Sequence, residues 1–292
     1  MPTSPLTRRS LLTRTAVAAV VLAGGAAGSV ASGALAAGKP SLEILSPAAN
    51  STITSDAIDV QVKISNFTLD SSQAGRPDKD GVGHIHVMLD TGTMATLTGF
   101  YGSNAFSIPG DGLTPGKHTL LVALASNTHI GLMETTQMVA FDYQPAKPKP
   151  LPAANDQGEP GLTLVSPSDG SMVSSKFTVT VKAVNFTPSA NLEGKPNVPG
   201  YGHYHVFVDT PMMGMGAMST PDAGMTGTPM AGGQMAMMSM AGMVLMPGSD
   251  SFALDLSAWG PGKHTIWIEP VQNDHTMFEK FGHVEFTVNV RG

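Results

Sequence analysis

From Ser41 onward the chain runs in short stretches of alternating apolar and polar residues, each closed by proline, glycine, asparagine or aspartate. A period of two puts successive side chains on opposite faces of an extended backbone, so each stretch predicts a short β-strand with one buried face. SLEILSPAANSTITSDAIDVQVKISNF (Ser41 to Phe67), GHIHVMLD (Gly83 to Asp90), FSI (from Phe106), HTLLVALA (His118 to Ala125) and TQMVAFDY (ending at Tyr143) all read this way. No stretch of convincing length repeats at the helical period.

The pattern then starts again. QPAKPKPLPAANDQGEP (Gln144 to Pro160) is rich in proline and lacks apolar periodicity, which predicts an extended, semi-rigid linker. Beyond it LTLVSPSDGSMVSS matches LEILSPAANSTITS, VNFT matches SNFT, SDSFAL matches SNAFSI, and FTVNV matches the closing strand. These matches describe a tandem duplication. Residues 41–143 and 161–290 are each expected to form an all-β unit, an antiparallel β-sandwich of immunoglobulin-like or cupredoxin-like build. The NFT triplets at Asn66 and Asn185 read as strand-end turns. The halves differ most at an insertion over about residues 211–246, where twelve of the 19 methionines lie among Gly, Ala, Ser, Thr and Pro. With neither strand nor helix periodicity, it predicts a mobile loop.

Residues 1–36 read as an export signal: the twin-arginine run TRRSLL (Thr7 to Leu12), a mildly apolar stretch, then Ala34-Leu35-Ala36 as a cleavage site. Cleavage there leaves a secreted, periplasmic or cell-envelope protein. The apolar run from Ala16 to Gly28 is too short and glycine-rich to remain as a membrane span. Resemblance to twin-arginine signals implies export in the folded state, often with a cofactor already bound. Past residue 36, 13 basic residues face 22 acidic ones, which argues against nucleic acid and anionic membrane surfaces as partners. Cysteine is absent. That excludes disulfides, thiolate zinc sites and copper sites built on a cysteine, and leaves metal chemistry to His, Met, Asp and Glu.

Those residue types recur in register. GHIHV carries His84 and His86, PGKHT carries His118 and NTH carries His129; the second half repeats the series with His203 and His205, His264 and His275. On a strand the two histidines of H-x-H leave the same face with Cα atoms about 6.5–7 Å apart, so both rings can aim at one ion. Ile85, Val87 and Leu89, like Tyr204, Val206 and Val208, make the opposite, core face. The histidine face continues to Met88 and Asp90 in one half and to Phe207 and Asp209 in the other. The third and fourth histidines are expected from a neighbouring strand and the loop after it, with Asp90 or Asp209 orienting a ligand from behind. Three or four neutral imidazoles suit Cu(II), Zn(II) or Ni(II), and the affinity order favours copper.

Strand phase opposes the full set of four. His118 shares its face with Leu120, Val122 and Leu124, and His264 shares its face with Ile266 and Ile268 while Glu269 faces away. If those apolar residues are core, the third histidine points inward and the H-x-H pair outward. Met88 and the loop methionines, above all Met235, Met237, Met238, Met240 and Met243, offer thioethers that suit Cu(I). Other readings compete with each ligand. The histidines would instead brace loops through ring N–H bonds to backbone carbonyls, and the methionines would form an adaptable hydrophobic surface. Asp78-Lys79-Asp80-Gly81 resembles a scrap of a calcium loop, but its counterpart at Pro196 to Gly200 lacks the carboxylates, so it reads as a solvated turn.

KPNVPGYGHYHVFVDT, then PGKHT and NDH, resembles a family of secreted bacterial domains of unknown function whose signature is GHHHLLID, PGxHTL and a D/N-x-H loop. The likeness covers most of residues 161–290 and, more loosely, 41–143. His203, His205, His264 and His275 fall on that family's histidine positions, as do His84, His86, His118 and His129 in the first copy, while Ile85 and Tyr204 replace its middle histidine. The resemblance implies a small exported β-domain and supplies no activity. The leading expectation is a non-enzymatic exported protein for metal handling or tolerance. Its histidines would hold Cu(II) or zinc, its methionine loop would take Cu(I), and a cell-envelope protein would donate or accept the metal. A structural or adhesive tandem module is the alternative. A redox enzyme resembling copper/zinc superoxide dismutase, which also uses H-x-H on a β-sandwich, is the third. No G-x-S-x-G, phosphate-cradling glycine loop or H-E-x-x-H motif points to another enzyme class.

Overall fold

A computed structural model describes residues 38–155, 158, 160–210, 240–278 and 282–292. In the first half the alternating runs form β1 (Ser41–Ser46), β2 (Thr52–Ile53), β3 (Ala57–Ser65), β4 (Thr68–Leu69), β5 (Val82–Leu89), β6 (Leu97–Tyr101), β7 (Ala105–Pro109), β8 (Gly116–Ser126) and β9 (Gln137–Tyr143). They build a 3-stranded sheet in the order β1-β3-β7 and a 6-stranded sheet in the order β2-β9-β8-β5-β4, with β6 also paired to β5. The second half has β10 (Gly161–Ser166), β11 (Ser171–Val173), β12 (Lys176–Val184), β13 (Thr187–Pro188), β14 (Tyr201–Val208), β15 (Met243–Leu245), β16 (Ser251–Asp255), β17 (Gly262–Val271) and β18 (Val284–Val290). Its sheets repeat the plan: β10-β12-β16, and β11-β18-β17-β14-β13 with β15 on β14. The chain is thus two tandem β-sandwiches. Among the described residues no helix is long and apolar enough to cross a membrane.

Strand phase assigns the cores. Ile85, Val87 and Leu89 of β5 and Leu120, Val122 and Leu124 of β8 bury against Ile58, Val60 and Val62 of β3. Tyr204, Val206 and Val208 of β14, with Ile266 and Ile268 of β17, do the same against Val179 and Val181 of β12. Each fully buried aliphatic side chain contributes roughly 1.5–3 kcal/mol by leaving water.

The alternation predicts that β5 and β14 are wet on their second face, yet from Gly83 and Gly202 onward both strands are buried on both faces. The other sandwich covers that face. Met88, Met94 and Leu97 of the first half pack with Phe207, Met240 and Met243 of the second in one apolar cluster. Gly75 and Gly194, the third residues of matched QAGRP and LEGKP segments, lie against the opposite half. A Cβ on Gly75 would stand 2.7 Å from Gly242 O, and one on Gly194 2.6 Å from Leu97 O. The linker lies on both sandwiches, accepting from Gly112 N at Lys149 O (2.8 Å) and donating from Asn155 N to Pro199 O (2.9 Å). The described residues from Gly38 to Gly292 accordingly form one compact unit.

This seam corrects the reading of the methionine insertion at its C-terminal end. Met240 and Met243 are 2% and 0% exposed, and Met243–Leu245 is a strand on the edge of β14. Unbranched thioether side chains fill an irregular gap between two sheets well. Residues 211–239 of the insertion, with Met235, Met237 and Met238, lie outside the described residues.

Candidate metal centre

Each H-x-H pair is held by close strand contact. The glycine before it is required by space: a Cβ on Gly83 would lie 2.0 Å from Ala125 O, and one on Gly202 2.0 Å from Val271 O. In the resulting register His84 and His86 of β5 oppose Ala125 and Ala123 of β8, and His203 and His205 of β14 oppose Val271 and Glu269 of β17. The core takes the intervening residues, so the imidazoles leave the sheet on the seam side.

The next histidine arrives by a tight hairpin. After β8, His129 N donates to Ser126 O (3.0 Å) and Ser126 N to Ile130 O (2.9 Å); after β17, His275 N donates to Gln272 O (3.0 Å) and Gln272 N to Thr276 O (2.8 Å). This is the three-residue hairpin in which a turn is followed by one left-handed residue, the place usually given to glycine. Here it holds His129 (φ 64°) and His275 (φ 65°). A side chain in that region costs about 1–2 kcal/mol, and strain of this kind gathers at functional positions. The loops are braced from within each half. Asp78 accepts from Thr128 N and Oγ1 (both 2.9 Å), Asn197 Oδ1 accepts from Asp274 N (3.0 Å), and Asn127 and Asn273 donate to Pro77 O and Pro196 O. Asp78, read from sequence as part of a solvated turn, therefore supports a histidine loop.

Three ring nitrogens converge in each half. His84 Nε2, His86 Nε2 and His129 Nδ1 stand 3.0, 2.9 and 3.2 Å apart pairwise; His203 Nε2, His205 Nε2 and His275 Nδ1 stand 3.2, 3.1 and 3.2 Å apart. All are buried except His275, which is partly so. Burial, aided by the other histidines, holds His84, His86, His203 and His205 well below the usual imidazole range. Burial likewise pushes His129 and His275 down to about 4. The rings are neutral at pH 7.

The outer nitrogens fix which atoms carry protons. His129 Nε2–H donates to Met243 O (2.8 Å) and His275 Nε2–H to Leu97 O (2.7 Å), each across the seam, so both Nδ1 atoms present lone pairs to their triads. A ring nitrogen offers either one N–H or one lone pair in its plane. Three such atoms in a triangle cannot make three mutual hydrogen bonds, so internal bonding leaves part of each triad unsatisfied. A cation satisfies all three. With metal–nitrogen bonds of about 2.0–2.1 Å, nitrogens at these separations cap one face of an ion and leave its other positions open. Neutral imidazoles, with no thiolate, suit copper and zinc.

His118 and His264 do not join the triads, as the phase of their strands predicts. His118 Nδ1 meets Asp90 Oδ2 (2.9 Å) and its Nε2–H donates to Thr114 O (2.8 Å); His264 meets Asp209 Oδ2 (2.7 Å) and Gly260 O (3.1 Å). Both ring nitrogens face acceptors, so neither is left for an ion. This corrects the placing of Asp90 and Asp209 behind the ligand histidines. At φ 65° and 57° the strand ends, and the carboxylates turn to His118 and His264 and to Thr119 N and Thr265 N. Met88, Met240 and Met243 belong to the apolar cluster of the seam. Sequence reasoning missed three parts of the setting: the carbonyls of Leu97 and Met243, and Glu269. The last was legible, since facing away from the core side of β17 places it on the histidine face. Burial pushes its carboxyl up to about 7.

No protein-family model matches the chain, and no curated protein matches it. Among solved structures it is similar to the fibronectin(III)-like modules of Clostridium thermocellum CbhA, at 10% identity over 86% of this chain and 94% of that one, with a TM-score of 0.24. The D00-D0 domain of intimin matches at 10% identity over 87% of this chain and 100% of that one, with a TM-score of 0.20. The tetra-tandem repeat of the extending region of a large adhesion protein matches at 10% identity over 87% and 50%, with a TM-score of 0.22.

Proposed function

We propose that the protein is an exported, non-enzymatic metal-binding protein that holds one transition-metal ion in each histidine triad, copper first and zinc second, for metal handling or tolerance. The observation that carries this reading is the twofold convergence of three neutral ring nitrogens within 3.2 Å of one another. Hydrogen bonding among them satisfies only part of each set, whereas an ion satisfies it all. In this reading a protein of the cell envelope supplies or accepts the metal.

A second reading is favoured by a specific observation. His129 and His275 each donate to a backbone carbonyl of the other sandwich, and His118 and His264 brace strand ends in the same manner. On that basis the chain is a structural or adhesive tandem module whose histidines hold two sandwiches together. One set of measurements separates the two. Metal content is determined on protein purified after export without added metal, followed by calorimetric titration with Cu(II) and Zn(II). The metal reading expects two ions per chain in the wild type and one in a His203→Ala/His205→Ala variant. Wild-type protein with neither bound metal nor metal-dependent heat leaves the module reading standing.

A further inference from the structure

The strands facing the two H-x-H pairs differ in one charged residue. Opposite His86 stands Ala123; opposite His205 stands Glu269. Directly opposed residues of an antiparallel pair leave the sheet on the same face with Cβ atoms about 4.5–5.5 Å apart. Glu269 is 3% exposed and its Oε2 has no hydrogen-bond partner, and His205 Nδ1 beside it is likewise buried and unpartnered. A buried carboxylate in that position is costly without a cation or a strong donor.

Resting on the reading that the triads bind metal, we infer that Glu269 is the charge partner of the second triad. With an ion on His205 Nε2, the ring's Nδ1–H donates to the Glu269 carboxylate, and the second site takes a divalent cation more tightly than the first. At the Cβ separation of directly opposed residues a glutamate side chain is long enough to reach the imidazole across from it. A carboxylate behind a ligand imidazole fixes its tautomer, raises its basicity and offsets the ion's charge. The first triad has Ala123 in that place; the carboxylate nearest it, Asp78, acts on His129 from the loop, as Asp274 acts on His275 in the second triad. Glu269 thus acts as a positioning residue, through His205.

Zinc titration of the whole protein against a competing chelator tests this. The wild type is expected to bind two ions with unequal affinity; His203→Ala/His205→Ala removes the tighter step and His84→Ala/His86→Ala the weaker. Glu269→Gln, close in size and free of the lone buried charge, weakens the tighter step by about 10–100-fold and leaves the weaker step and Cu(I) binding unchanged. In zinc-loaded protein the His205 Nδ1–H proton resonance lies far downfield and moves upfield in Glu269→Gln. Equal zinc steps in the wild type, or a tighter step indifferent to Glu269→Gln, overturn the inference while the metal reading stands. A wild type that binds neither zinc nor copper overturns both, and the triad variants decide the matter even if Glu269→Gln fails to fold.

Discussion

At the scale of single residues the most telling choice is a histidine where a hairpin calls for glycine. His129 and His275 both occupy left-handed backbone (φ 64° and 65°), and both return a ring nitrogen to the H-x-H pair of their own half. The backbone would be better served by glycine, so His275→Gly and His275→Ala should part company. Both lose the same ring and its bond to Leu97 O, but only alanine keeps the conformational penalty. The glycine variant is expected to be about 1 kcal/mol more stable than the alanine variant in chemical denaturation with chelator present. Each is expected to bind one metal ion fewer than the wild type. Equal stabilities would mean that the hairpin relaxes out of the left-handed region once the ring is gone.

At the scale of elements, the H-x-H strands depend on glycine for space rather than for conformation. A Cβ on Gly202 would meet Val271 O at 2.0 Å and a ring carbon of Phe186 at 2.9 Å, so β14 and β17 must separate to admit it. Gly202→Ala is expected to destabilise the fold by at least about 2 kcal/mol. Gly282→Ala, where an added Cβ meets nothing within 4 Å among the described residues, is expected to stay within about 0.5 kcal/mol of wild type; thermal unfolding of the pair reads the contrast. Strand phase made most of this scale legible from sequence. It separated Ile85, Val87 and Leu89 from His84 and His86, and it set His118 and His264 against their own cores. What it concealed was the cover over the histidine face, because period-two reasoning treats the face opposite a core as wet. A signal was present nonetheless. HTLLVALA is apolar on both faces, and Met88, Phe207 and Trp267 stand where polar residues belong in a half-exposed sheet. The backbone carbonyls that receive His129 and His275 have no side-chain signature and could not be read.

At the scale of the whole molecule, the two halves meet through exchanged contacts. Each places a glycine of the GRP or GKP segment and a hairpin histidine against the edge strand of the other: Gly75 and His129 against residues 242–243, Gly194 and His275 against Leu97. This is the pattern of an isologous interface, here between the two halves of one chain. Charge spoils the equivalence on one side, where Glu193 takes the place of Ala74. Glu193 is 7% exposed, its Oε1 has no partner, and it lines a 330 Å³ cleft between the halves with Phe100, Tyr101 and Leu245. Burial pushes its carboxyl well above the ordinary carboxylate range, whereas in the unfolded chain it titrates near about 4.3. The folded state therefore binds the proton more tightly. The contribution of Glu193 to stability is fully present below about pH 4.3 and is lost as pH rises from there toward its raised folded value. Replacing it with glutamine removes the ionisation while keeping the shape. The stability of Glu193→Gln relative to wild type is expected to be near zero at pH 4 and to grow with pH, reaching about 1–3 kcal/mol at pH 8. Denaturant titrations of both proteins across that range, with chelator throughout, measure the difference directly. A difference independent of pH would place the Glu193 carboxylate in contact with water, and the seam between the sandwiches would then be open at that end.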